Sequence, residues 1–76
     1  MNHKYYSKMR PISPGTFPNT QGNKPIEVVN FSDRQFVEND SFMAWGYLVY
    51  ANALTNEQIY EYELREASDN ELYNIP

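Results

Sequence analysis

Phe42-Met43-Ala44-Trp45-Gly46-Tyr47-Leu48-Val49-Tyr50 decides the fold class. Its nine residues are almost all aromatic, β-branched or apolar, which is the composition of a buried strand. Alternation puts Met43, Trp45, Tyr47 and Val49 on one face and Ala44, Gly46, Leu48 and Tyr50 on the other. Both faces are apolar, so the stretch reads as a central strand covered on two sides. Gly46, with no side chain, leaves a gap where a neighbouring chain can sit close.

A helix start follows at once. Thr55 with Gln58 three residues on forms a capping box, and Leu54 and Ile59 are spaced as a staple across it. The wheel also sets the end. Continued helix would place Glu63 inside the arc of Ile59, Tyr60 and Tyr62, and burying an unpaired carboxylate costs several kcal/mol, about the transfer penalty of a lone polar group. The helix therefore stops near Tyr62, and Glu63 to Glu66 run extended with Tyr62 and Leu64 inward. Residues 67–76 read as a polar tail.

Upstream, Lys4 to Arg10 reads as a strand, and residues 1–3 as a disordered terminus. Pro11, Pro14, Gly15 and Pro18 then exclude regular structure, and 19–24 read as a surface loop. Ile26 to Phe31 is a β-branched run of strand length, Ser32-Asp33 a turn signal, and Arg34 to Glu38 a returning strand. The expected fold class is α+β: a small antiparallel sheet of three or four strands with one short helix, a single domain over residues 4–66. The expected core is Tyr5 or Tyr6 with Ile26, Val28, Phe31, Phe36, Trp45, Tyr47, Leu48, Val49, Leu54, Ile59, Tyr62 and Leu64.

Composition removes most chemistries. The chain has 76 residues, no cysteine and a single histidine, His3. Disulfides, thiolate metal sites and cysteine nucleophiles are excluded, and a histidine base is confined to the N-terminal segment. Neither a phosphate-binding loop nor a calcium loop is present. No enzyme activity, cofactor or metal is expected. The longest apolar run, Met43 to Ala51, is far too short to span a bilayer, and no signal peptide is recognisable, so a cytoplasmic protein without a membrane partner is expected.

Net charge is −4, unevenly spread. Residues 1–24 carry Lys4, Lys8, Arg10 and Lys24 and no acid, whereas residues 25–76 carry two bases against ten acids. Two contact surfaces follow as expectations. The late acids Glu57, Glu61, Glu63 and Glu66 suit a partner protein with a basic surface. Lys4, Tyr5, Tyr6, Lys8 and Arg10 combine bases with aromatics, as single-stranded nucleic-acid sites do, although the acidic total opposes that reading. A core this small with twelve aromatic residues also leads us to expect either a homodimer or an exposed aromatic patch, with tyrosines favoured.

The chain as a whole resembles a known group. Lys4-Tyr5-Tyr6, Arg10-Pro11, Pro14-Gly15-Thr16-Phe17-Pro18, Glu27-Val28-Val29-Asn30-Phe31, Ala44 to Tyr50, and the Leu54 to Leu64 pattern L-T-x-x-Q-I-x-x-Y-E-L are similar to short defence against restriction A-related proteins of mobile elements in gut Firmicutes. The similarity covers residues 4–66 in order. It implies a mobile-element setting and evasion of host defence: a non-enzymatic protein that binds and inhibits a restriction or CRISPR-type protein, or alternatively a nucleic-acid-binding accessory of the element. It implies no catalytic residue.

Overall fold

The computed structural model describes residues 2–37 and 40–68. Its elements are β1 (His3–Ser7), β2 (Pro25–Val37), β3 (Phe42–Tyr50), α1 (Asn56–Glu61) and β4 (Leu64–Glu66). They form one antiparallel sheet in the order β2-β3-β1-β4, with one short helix, the α+β class read from the sequence. The apolar stretch is a central strand, as its two-faced composition requires. Tyr5 lies opposite Leu48 on β3 and Glu66 on β4, so β1 is the other interior strand.

Each face of the sheet has its own core. On the helix face, Tyr5, Ile12, Leu48, Tyr50, Leu54 and Leu64 pack together, with Phe17, Ile59 and Tyr62 against them. Two tyrosine hydroxyls fasten connections to this core. Tyr5 accepts a hydrogen bond from Leu54 N–H at 3.0 Å, and Tyr50 donates to the Pro18 carbonyl at 2.6 Å. The second core gathers Tyr6, Ala44 and Ala67 with Phe31, Val37, Phe42 and Tyr47. We call this side the open face, because α1 packs on the other.

The proline-rich segment crosses the helix face. Asn30 grips the Ile12 backbone with both amide atoms, accepting from its N–H at 2.9 Å and donating to its carbonyl at 2.6 Å. Ile12 lies over Gly46, where a Cβ would stand 3.1 Å from Ile12 Cδ1 and 2.2 Å from the Val29 carbonyl oxygen. The gap expected at Gly46 is filled by this crossing.

One local signal misled. Ser32-Asp33 is not a turn. β2 continues through it as one strand of thirteen residues whose register with β3 slips between Asn30 and Gln35. Asp33 Oδ1 accepts from Arg34 N–H at 2.8 Å, so the turn chemistry operates inside a bulge while long-range pairing sets the path. The chain reverses instead after Val37, whose carbonyl accepts from Asp40 and Ser41 N–H.

The expected core also needs correction. Ile26, Val28 and Phe36 are exposed, because β2 is an edge strand that the helix does not reach. Trp45 is half-buried and belongs to neither core, its ring lying under the Arg34 guanidinium at 5.9 Å. Ile12, Ala44, Tyr50 and Ala67 are buried in their place. At the termini, β1 begins at His3, Ala67 donates to the Lys4 carbonyl and Ser68 N–H to Asp40 Oδ1. Most of the expected tail, 69–76, lies outside the described residues.

Candidate functional site

The capping box forms as spelled. Thr55 Oγ1 accepts from Gln58 N–H at 3.1 Å and Gln58 Oε1 from Thr55 N–H at 3.0 Å. Ile59 and Tyr62 turn to the sheet. Tyr60, one residue from Ile59 and about 100° around the axis, misses the narrow docked stripe and is 86% exposed. The apolar arc of the wheel includes Tyr60, and the docked face does not.

Beside it runs an open groove of about 750 Å³ between the helix and the end of β1. Ile59, Leu64, Tyr60 and Met9 give it apolar surface, Lys8 and Arg65 one charge and Glu61 and Glu63 the other. Met9 is 62% exposed.

Two acids at this groove do not serve the fold. Glu61 closes the last helical turn, which carries no basic residue, and a carboxylate there meets the negative end of the helix dipole. Glu63 follows with φ of 54°. A side chain in that left-handed region costs about 1–2 kcal/mol, and glycine is the usual occupant after a helix. Arg10 Nη2 reaches Glu63 Oε1 at 2.7 Å, but both side chains are half-exposed, and pairs of that kind contribute about 0–1 kcal/mol. Glycine with any neutral residue at 61 would suit the backbone better.

The four expected acids are therefore not equivalent. Glu61 and Glu63 line the groove. Glu57 lies in the first helical turn, where its charge favours the helix. Glu66 sits on β4 opposite Tyr5, and its charge joins the larger effect of burial in raising the Tyr5 pKa above its usual 10.0. Sequence reasoning missed Met9 and Tyr60; only their proximity in the fold singles them out.

The basic-aromatic set is broken up. Tyr5 and Tyr6 alternate to opposite faces and are both buried, 1% and 6% exposed. Arg10 is engaged by Glu63. Lys4 Nζ lies 5.0 Å from the Tyr6 ring centre and 4.4 Å from that of Tyr47, and Lys8 Nζ 4.8 Å from that of Phe42. Those two stay together on the open face.

Among the described residues, no group of three or more His, Cys, Asp or Glu side chains is placed to hold a metal ion, and no helix is long and apolar enough to cross a membrane.

The family model for the C-terminal part of defence against restriction A matches residues 1–69. The chain belongs to that family. No curated protein and no solved structure matches it. The family match covers every element of the sheet and the helix, so the groove and both faces belong to the part of the chain that carries the relationship.

Proposed function

We propose that this protein is a non-enzymatic counter-defence factor that binds a host restriction or CRISPR-type protein and inhibits it. The groove beside α1 is its docking surface, with Tyr60 and Met9 as apolar anchors, Glu61 reading basic groups on the partner, and Glu63 exchanging its half-exposed Arg10 pair for one with the partner. The observation that carries this reading is the placing of Glu61 and Glu63 side by side where the fold disfavours both. Locally unfavourable residues held at one surface point to a role outside stability. An exposed tyrosine ring next to them fits the anchor chemistry of protein interfaces, where aromatics bring large contact area at low entropic cost. Family membership supplies the defence context. A basic partner surface is what a protein that handles nucleic acid presents, and opposite charge speeds the encounter.

The test is phage or plasmid survival in restricting and CRISPR-immune hosts, with and without the gene. Survival should rise at least tenfold in a host carrying the targeted system. Equal survival across several such systems contradicts the reading.

A further inference from the structure

The open face of the sheet carries a cationic cluster, two members of which, Lys8 and Arg65, also border the groove. Lys4 on β1 and Lys8, the first residue past its end, fall on the same side by alternation, four residues and roughly 13 Å apart along an extended chain. Arg65 on β4 lies opposite Tyr6, between them. Each cation rests against an aromatic ring: Lys4 on Tyr6 and Tyr47, Lys8 and Arg65 on Phe42, the last at 5.8 Å. Three of the six basic residues of an acidic chain thus converge on one sheet face. Of the acids near them, Glu61 and Glu63 lie at the groove that Lys8 and Arg65 border. Glu66 alternates to the helix face, where its charge acts on Tyr5, and Asp40 accepts from Ser68 N–H. Glu27, opposite Val49 on β2, bounds the cluster two strands from Lys4.

We propose that this face binds single-stranded nucleic acid, with Lys4, Lys8 and Arg65 meeting phosphates and the half-buried rings of Phe42 and Tyr47 meeting bases. Charge complementarity names a polyanion. The rings beneath the cations select a single strand, whose unstacked bases have faces to offer, over a duplex, whose bases are already stacked. Long lysine and arginine stems let the charged ends move from ring to phosphate without disturbing the sheet. Tyr5 and Arg10, which the sequence grouped with these residues, take no part: one is buried on the other face and the other is paired with Glu63. The face shares Lys8 and Arg65 with the rim of the groove, whereas Tyr60 lines the groove alone, so Tyr60 separates the two surfaces.

Fluorescence anisotropy of a short labelled oligo(dT) against the full chain tests it. Binding at low salt should weaken with a log–log slope near −2, from three phosphate contacts at roughly −0.7 each. Lys8→Glu with Arg65→Glu should lower affinity at least tenfold while the thermal transition stays cooperative. Lys8→Gln alone should cost severalfold, and keeps the test in place should the double variant not fold. Tyr60→Ala should change nothing. No binding at low salt, binding indifferent to the Lys8 and Arg65 changes, loss of binding in Tyr60→Ala, or equal affinity for duplex DNA or anionic vesicles each overturns the assignment.

Discussion

Single residues fix this fold where two parts of the chain come close. At Gly46 an added methyl would stand 2.2 Å from the Val29 carbonyl oxygen, a backbone atom that cannot swing aside. Gly46→Ala is expected to destabilise by about 3 kcal/mol, the upper end of overpacking costs, measured by denaturant titration. Glu63 gives the opposite sign. Glu63→Gly removes left-handed strain of about 1–2 kcal/mol and loses a surface ion pair of about 0–1 kcal/mol. Thermal unfolding should show unchanged or slightly higher stability, and a clear loss would contradict the reading of Glu63 as a residue kept for binding. The buried phenols set an alkaline limit. Burial is the main cause that raises the pKa of Tyr5 and, further, of Tyr50. In the unfolded chain both ionise near about 10. Below that pH both states hold the protons and the stability is fully present; as pH rises above it the unfolded state loses them first and stability falls. Tyr5→Phe should flatten that fall. It should also cost about 1–3 kcal/mol at neutral pH, since Leu54 N–H then loses its acceptor.

Among the elements, the best-read were those whose signals are local. The Thr55 capping box predicts α1 because side chain and backbone three residues apart decide it, and the Glu63 argument predicts the end of the helix because a carboxylate cannot enter that arc. Glu63 itself turns with φ of 54° rather than running extended, and β4 starts at Leu64. Six helical residues are too few to be stable alone. Thr55→Ala is therefore expected to cost about 1 kcal/mol, with loss of helical circular dichroism ahead of sheet signal on heating. β2 shows the converse. Ser32 and Asp33 carry turn chemistry, but their path is set by pairing with β3, whose residues lie far along the chain. The same limit applies to Ile26, Val28 and Phe36, since periodicity marks a strand's faces and says nothing about whether it ends at an edge. Trp45→Ala should accordingly cost less than the roughly 3–5 kcal/mol of a fully buried aromatic.

At the scale of the molecule, function is written in surfaces that only the assembled sheet creates. Charge counts showed that bases come early and acids late. The fold redistributes them, joining Arg65 to Lys4 and Lys8 on the open face and Lys8 and Arg65 to Glu61 and Glu63 at the groove. Residues as exposed as Met9 and Tyr60 had no signal in the sequence, because neither a bend nor the outer side of a short helix carries a periodic pattern. The central claim is that the helix-side groove delivers counter-defence. Survival of phage or plasmid in a restricting host, compared between wild type and Tyr60→Ala, tests it most directly. Tyr60 adds nothing to either core, so the variant should melt within about 0.5 kcal/mol of the parent, as surface substitutions do. The account predicts that protection drops at least tenfold while stability holds; full protection by a folded Tyr60→Ala would contradict it.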